Sequence, residues 1–161
     1  MAIRPILEFP HKALRQKARK VRKIDTSVQN LVDDMLDTLE VAGGVGLAAN
    51  QVGVPLRLAV VQLPEDEDAT VLINPEIVRS KGEREIDEGC LSMPGYRGRV
   101  RRSQKVRAKA LDRHGKVLRI RAENDLMAQV LEHEIDHLNG TLYSDHLVGN
   151  QLWPVAAEGG E

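Results

Sequence analysis

The order of hydrophobic patterns along the chain restricts its fold more than any other feature. Apolar residues recur at helical spacing in two segments, one near each end, whereas the segments between them alternate or are β-branched. The first helical segment starts at Thr26, which has capping-box spacing to Gln29, and stops at Gly43 and Gly44. The second runs from about 124 to 139 and leaves through a glycine.

Four strand-like segments lie between the two helices. Residues 57–63 and 71–78 are short and β-branched, and residues 106–110 and 118–122 alternate apolar with basic side chains on either side of the turn DRHG. An order of helix, several strands and helix favours an α+β fold, with mostly antiparallel strands packed around a central helix and an amphipathic helix near the N-terminus.

Length and composition set the domain organisation and exclude several classes of protein. A chain of 161 residues fits a single domain, which we place at 1–148, with a short and loosely ordered tail at 149–161. One cysteine excludes an internal disulfide framework, and a net charge of −1 gives no general attraction to DNA or to a membrane surface. The opening MAIRPILEFP lacks the pattern of a signal peptide, and no apolar run reaches the ~20 residues of a membrane span. We therefore expect a cytoplasmic protein, and a monomer because neither helix shows a second apolar face.

Polar residues interrupt the second helical segment in the pattern HEIDH. His133 and His137 are four residues apart, so both imidazoles lie on one face of the helix with Glu134 beside them. This spacing is typical of a metal site with a glutamate as general base. The alternative is a solvated polar face or a pair of hydrogen-bonded histidines. Apolar residues surround the motif on nearly all other sides, and buried polar groups need partners, so the metal site is favoured.

A metal site built on His133 and His137 needs at least one more protein ligand. One class of zinc peptidases has a third histidine six residues after the second, where this chain has Tyr143. Another class uses a glutamate from a later helix, but the only later glutamates here are Glu158 and Glu161, in a Gly/Ala-rich end. The remaining candidate is Cys90, for which the alternative is a small buried apolar residue. A thiolate with two imidazoles and a water is an acceptable open tetrahedral site.

Three separated segments resemble the signature motifs of the peptide deformylase family, in the same order and with similar separations. They are GVGLAANQVG (44–53), EGCLSMPG (88–95) and HEIDHLNG (133–140). RQKA near the start and LINPEI before the cysteine are also similar to that family. The resemblance implies an α+β enzyme whose single catalytic domain removes the formyl group from the N-terminal formylmethionine of new polypeptides.

The same resemblance implies a role for each residue of the site. The metal ligands are Cys90, His133 and His137, binding Fe(2+), with Zn(2+) or another divalent metal able to take its place. Glu134 is then the general acid and base, and Gln51 and the backbone N–H of Leu91 hold the formyl oxygen. The implied partners are N-formylmethionyl nascent peptides, with transient proximity to the ribosome.

Further residues are candidates for binding substrate. Gly44 and Gly46 allow an extended peptide to approach the backbone closely, and a phosphate-binding loop is excluded because the required lysine is missing. The remaining candidates are Val45, Gly89, Arg97, Gln129 and Val130. Asn50, Gln129 and Glu132 depart from the residues common in the family, and Glu132 would add a charge near the metal.

The stretch from residue 97 to residue 121 is strongly basic, with 11 Lys/Arg against one acid. The basic residues alternate with apolar ones, which favours the solvated face of an antiparallel hairpin over contact with ribosomal RNA or a substrate carboxylate.

Three other functions compete with a metal-dependent deformylase. A structural metal or peptide-binding module would need a fourth protein ligand and would not need Glu134 or Gln51. A metal-free cysteine hydrolase would use Cys90 with one of the histidines and would be insensitive to chelators. A general metallopeptidase lacks its downstream ligand.

Overall fold

A computed structural model describes residues 2–155, which form an α+β fold with antiparallel strand pairing throughout its two sheets. The helices are α1 (Thr26–Ala42) and α2 (Leu126–Leu138). The strands are β1 (Gly46–Ala48), β2 (Leu58–Val61), β3 (Thr70–Lys81), β4 (Arg84–Glu88), β5 (Tyr96–Arg102), β6 (Lys105–Leu111), β7 (Val117–Glu123) and β8 (Leu147–Pro154). One sheet has the order β1-β2-β3-β6-β7 and the other β4-β5-β8, which confirms the predicted α+β class.

Helix α1 begins one residue earlier than its sequence pattern suggested. Asp25, in extended backbone, is the N-cap, and its side chain accepts a hydrogen bond from the Val28 N–H at 3.0 Å. The predicted pairing of Thr26 with Gln29 was therefore wrong, because Thr26 is already the first helical residue. Gly43 ends the helix in the left-handed conformation, with φ 71°.

Helix α2 is capped in the same way, by the Asp125 side chain on the Ala128 N–H at 2.9 Å. Beyond its C-terminus Gly140 has φ +77°, and a Cβ there would lie 2.5 Å from the Arg15 carbonyl oxygen. Only glycine fits both conditions. Neither helix in the described range is long and apolar enough to cross a membrane.

The larger sheet packs between the two helices at its β1–β3 end. All four residues of β2 are buried: Leu58 and Val60 pack with α1, whereas Val61 packs with the cluster that includes α2. Successive strand residues point to opposite faces, so a strand covered on both sides needs a continuous apolar run. Helix α2 also covers β6 and β7, through Val106, Ala108, Ala110 and Ala122.

The smaller sheet was not predicted from the sequence. Its strands β4 and β5 form a hairpin, and β8 pairs with the other edge of β5. The tail predicted to be loose at 149–161 was wrong for residues 149–154, because β8 satisfies its backbone hydrogen bonds on β5. Residues 156–161 lie outside the described range.

Candidate metal centre and substrate pocket

Helix α2 presents the three polar residues of the HEIDH motif inside the protein. His133 is 8% exposed, Glu134 3% and His137 1%. The helical spacing brings the Nε2 atoms of His133 and His137 to 3.2 Å from each other. Two ring nitrogens at this distance need a proton or a cation between them.

The thiol of Cys90 completes the cluster from a different segment, the turn that follows β4. Its Sγ lies 3.2 Å from His137 Nε2, and the three ligand atoms are all within 4.8 Å of one another. In a tetrahedral site with bonds of about 2.0–2.3 Å, neighbouring ligand atoms lie about 3.3–3.6 Å apart. The two recorded contacts are close to that spacing, so the donor set fits a metal ion. No fourth His, Cys, Asp or Glu joins the cluster within residues 2–155.

Glu88 fixes the orientation of the first histidine. Its Oε2 lies 2.5 Å from His133 Nδ1, which leaves Nε2 of the ring directed at the cluster. Arg102 holds the same carboxylate through two hydrogen bonds, Nε to Oε1 at 3.0 Å and Nη2 to Oε2 at 2.6 Å. Burial alone would raise the pKa of Glu88, but His133 and Arg102 outweigh it and hold the pKa well below its usual value.

The Arg102 guanidinium extends this network along α2 to Asp136, three residues after His133. Its Nη1 donates to Asp136 Oδ2 at 2.6 Å, and the same oxygen lies 3.0 Å from His146 Nε2. The Arg102 and Glu88 side chains are only 3% and 4% exposed. None of the four residues of this network, Glu88, Arg102, Asp136 and His146, was predicted from the sequence to be part of the site. A signal was present, because strand alternation puts Arg102 on the same inward face as Val100, and a buried cation requires an anion.

Gln51 lies in a 3-10 helix, Ala49–Val52, directly after β1. Its Oε1 accepts a hydrogen bond from the Ala48 N–H at 2.9 Å, and its Nε2 donates to Ser92 Oγ at 3.0 Å and lies 3.7 Å from Cys90 Sγ. These contacts fix the amide N–H group beside the cluster. The neighbouring Asn50 donates from Nδ2 to the His137 carbonyl, which ties this 3-10 helix to α2.

Leu91 follows the cysteine and brings its main chain to the pocket. Among residues 2–155 its N–H donates no hydrogen bond, although the turn places it beside Cys90. A backbone N–H without an acceptor, next to a residue of the Cys-His-His cluster, is suited to bind an oxygen of a substrate.

Glu134 is the buried carboxylate of the pocket. Its Oε2 lies 3.9 Å from His133 Nε2, and within the described chain its Oε1 has no hydrogen-bond partner. Burial, opposed in part by His133, raises the pKa of Glu134 to about 7. A Cβ on Gly46 would lie 2.5 Å from Glu134 Oε2. The absence of a side chain at Gly46 therefore leaves space for the Glu134 carboxylate.

A pocket of about 560 Å³ opens beside the cluster, and the substrate-binding candidates line it. They are Gly44, Val45, Gly46, Gly89, Arg97, Gln129 and Val130. Tyr96 and Leu126, which were not predicted, also line it, and both are exposed apolar residues. His137 lies behind the lining rather than in it.

Two of the residues that depart from the family pattern make contacts outside the cluster. The Glu132 carboxylate accepts hydrogen bonds from Ser103 N and Oγ at 2.7 and 2.8 Å, so its charge is engaged at the β5–β6 turn. The Gln129 Nε2 donates to the Asp87 carbonyl and to Glu88 Oε1. Its amide therefore supports the β4 segment, and its stem borders the pocket.

Comparison with known proteins gives a consistent result. The family model described as polypeptide deformylase matches residues 3–153. A peptide deformylase of Dehalococcoides mccartyi strain CBDB1 is 57% identical over 147 residues, which cover 91% of this chain and 87% of that protein. One from Symbiobacterium thermophilum is 50% identical and covers 100% of this chain and 73% of its own length.

Solved structures agree with the sequence relatives. A peptide deformylase from Legionella pneumophila superposes with a TM-score of 0.88 at 51% identity, over 91% of this chain and 87% of that one. A peptide deformylase from Synechococcus elongatus in complex with actinonin gives 0.85 at 38% identity, over 89% and 78% of the two chains.

Proposed function

Since this chain belongs to the polypeptide deformylase family, and is thus an enzyme that removes the formyl group from the N-termini of newly made polypeptides, we propose that the pocket beside α2 is its active site. One observation carries the proposal: three ligand atoms converge within 4.8 Å at the wall of the pocket that also holds a buried glutamate. We further propose that residues 1–148 form one catalytic domain; its last strand, β8, begins at Leu147 and continues beyond this range to Pro154.

The enzyme family is metal-dependent, and Cys90, His133 and His137 are the residues that would hold the ion. Thiolate and imidazole ligands favour Fe(2+) or Zn(2+) over magnesium, and we propose Fe(2+) as the ion in the cell. Such an ion supplies Lewis acidity, which lowers the pKa of a water and polarises a carbonyl oxygen.

Glu134 is placed to move the proton. Its side chain is buried, and within residues 2–155 its Oε1 has no hydrogen-bond partner. It can therefore accept a proton from the attacking water and later give it to the departing amine nitrogen. Burial excludes bulk water from the carboxylate, so the proton stays with the reacting groups.

Gln51 and Leu91 stabilise the formyl oxygen as negative charge develops on it. The Gln51 amide is held by Ala48 and Ser92, and the Leu91 N–H is free to donate. Donors that are fixed before the reaction avoid the cost of reorganisation, and each is typically worth ~2.7–4 kcal/mol in the transition state.

The substrate peptide has an open strand edge to bind. Strand β1 is the end strand of its sheet and pairs only with β2 among the described strands, so an extended peptide can add along its other side. Val45 and Val130 then offer apolar surface to the methionine side chain, and Arg97 lies at the rim to meet the more distant part of the peptide. We also propose a cytoplasmic monomer that acts close to the ribosome, where its substrate emerges.

The test is formate release from a formyl-Met tripeptide by anaerobically purified protein. We expect activity to vanish with a chelator and to return with Fe(2+), and Glu134→Gln to abolish turnover while retaining the metal. Activity that survives complete metal removal but is lost on thiol alkylation would instead establish a cysteine hydrolase.

A further inference from the structure

The outer face of strands β3, β6 and β7 carries a regular grid of charged side chains. Register puts three residues of each strand opposite one another in three rows, and we call this surface the basic face. Its rows are Lys81, Lys105 and Glu123, then Arg79, Arg107 and Arg121, then Glu76, Lys109 and Arg119. These nine side chains sum to +5 in a chain of net charge −1, so the other residues sum to −6.

Like charges stand directly opposite each other across this face. Arg107 in β6 is paired with Arg79 on one side and Arg121 on the other, and all three are exposed. Like charges at directly opposed positions destabilise a sheet. Among the residues that the structure describes, the one ion pair of this face is Lys105–Glu123, at 3.9 Å.

Four other cations of the basic stretch have carboxylate partners, in contrast to most cations of the basic face. Arg99 and Arg101 pair with carboxylates of β4, Arg102 is buried on Glu88, and Arg113 pairs with α1. The solvated-hairpin interpretation accounts for the alternation of β6 and β7. It does not account for a third strand, β3, that adds Arg79 and Lys81 to the same surface.

The basic face lies on the side of the sheet away from the active site. Alternate residues of β6, Val106, Ala108 and Ala110, pack with the cluster of α2, so Lys105, Arg107 and Lys109 point the opposite way. A macromolecule on this surface leaves the pocket open. A shallow groove of about 160 Å³, lined by Arg79, Ser80, Lys81, Lys105 and Arg107, runs along it.

We propose that the basic face binds the phosphate backbone of RNA. Four of its seven cations are arginines, whose guanidinium forks match phosphate oxygens. Neighbouring cations are separated by about 4.8 Å between strands and about 6.8 Å along a strand. This spacing allows several of them to contact successive phosphates of one nucleic-acid strand. No aromatic residue belongs to the grid to stack on bases, so the contact is independent of sequence. The choice of RNA rests on the proposed function, because nascent chains emerge at a surface rich in ribosomal RNA.

The test uses metal-loaded full-length protein and a short fluorescent RNA duplex, with binding followed by anisotropy between about 50 and about 200 mM salt. The variant is Arg79→Gln/Arg107→Gln/Arg121→Gln. Its loss of three phosphate contacts should weaken binding roughly tenfold or more and reduce the salt slope by about 2–3. Removal of opposed like charges should not lower the melting temperature, and deformylation of a formyl-Met tripeptide should be unchanged.

A matched variant, Lys17→Gln/Lys20→Gln/Lys23→Gln, removes the same charge from exposed positions of the N-terminal segment. We expect it to bind RNA like the wild type. Equal weakening by both variants, weakening by the control alone, or binding to phosphatidylserine vesicles but not to RNA would each overturn the proposal. RNA binding by a protein without deformylase activity would leave the basic face intact and refute only the proposed function, so the two failures are distinguishable.

Discussion

Gly46→Ala tests whether β1 is shaped around Glu134, the proposed catalytic carboxylate. The added Cβ would lie 2.5 Å from Glu134 Oε2 and 3.0 Å from its Cδ. An ordinary contact needs at least about 3.4 Å, so the carboxylate must retreat by about 1 Å from the position that it holds beside His133. A displacement of about 1 Å in a catalytic group can cost about 100-fold in rate. Overpacking of this kind lowers the free energy of unfolding by about 1–3 kcal/mol.

The assay is kcat and KM for a formyl-Met tripeptide, with metal content and urea unfolding measured on the same preparations. We expect kcat to fall about 100-fold with the metal retained, since the three atoms nearest to the added Cβ all belong to Glu134. Gly44→Ala is the matched control, because its Cβ would meet the Leu91 side chain, at 2.8 Å from Cδ1, instead of the acid. That apolar side chain is only half-buried and can change rotamer, so the loss of kcat should be much smaller.

A double-mutant cycle isolates the contact. Glu134→Asp shortens the acid and should cost less stability in the Gly46→Ala background than in the wild type, by roughly 1 kcal/mol of coupling. Full activity in Gly46→Ala, an effect no larger than that of Gly44→Ala, or strict additivity in the cycle would refute the reasoning.

Three further predictions concern stability and metal affinity. Glu88→Ala leaves the buried Arg102 with Asp136 as its only carboxylate among residues 2–155 and leaves His133 without its acceptor. We expect a loss of at most about 3–5 kcal/mol in urea unfolding and about 10–100-fold in metal affinity, measured by competition with a chelator. Asp125→Ala removes the N-cap of α2 and should cost about 1 kcal/mol, with Asp125→Asn as the nearly neutral control. The hydrogen bond from Arg15 lowers the pKa of Asp145, so its contribution is present above the unfolded pKa of about 3.9 and is lost as the pH falls through the folded pKa. The difference in unfolding free energy between wild type and Asp145→Asn should therefore stay constant near neutral pH and disappear in acid. Because the Arg15–Asp145 pair is exposed, this difference should be below about 1 kcal/mol. A difference that grows below about pH 4 would contradict the prediction.

Local sequence signals were sufficient where the chain's own periodicity decides the structure. Both helices and the β6–β7 hairpin were predicted close to their observed bounds, because each has an apolar repeat and a turn or glycine at its end. The caps were harder, since Asp25 and Thr26 are both good N-cap residues and only the backbone conformation separates them. β1 is only three residues long and begins with a glycine, so it gave no strand signal of its own.

The smaller sheet was missed because its strands violate the patterns that identify strands. β4 consists of charged residues except for a single isoleucine, so it has no apolar alternation. β8 contains Gly149 and Asn150, both at positive φ. These segments are strands because β5 offers partners on both edges, which is a tertiary effect. The same tertiary pairing places Glu88 at the end of β4, next to Gly98 of β5, and so brings it to Arg102 and His133.

The polar residues of α2 show why the motif alone does not build the site. His133 requires Glu88 to orient its ring, and Glu88 requires Arg102 to remain charged when buried. The carbonyl of His137 is held by Asn50, whose neighbour Gln51 is in turn fixed against the loop of Cys90. The His133 ring, the His137 carbonyl and the Gln51 amide are thus each held by a group from another segment. The spacing of HEIDH sets His133 and His137 on one helical face. The position of Cys90, the space beside Glu134 and the orientation of the His133 ring come instead from β1, β4 and β5.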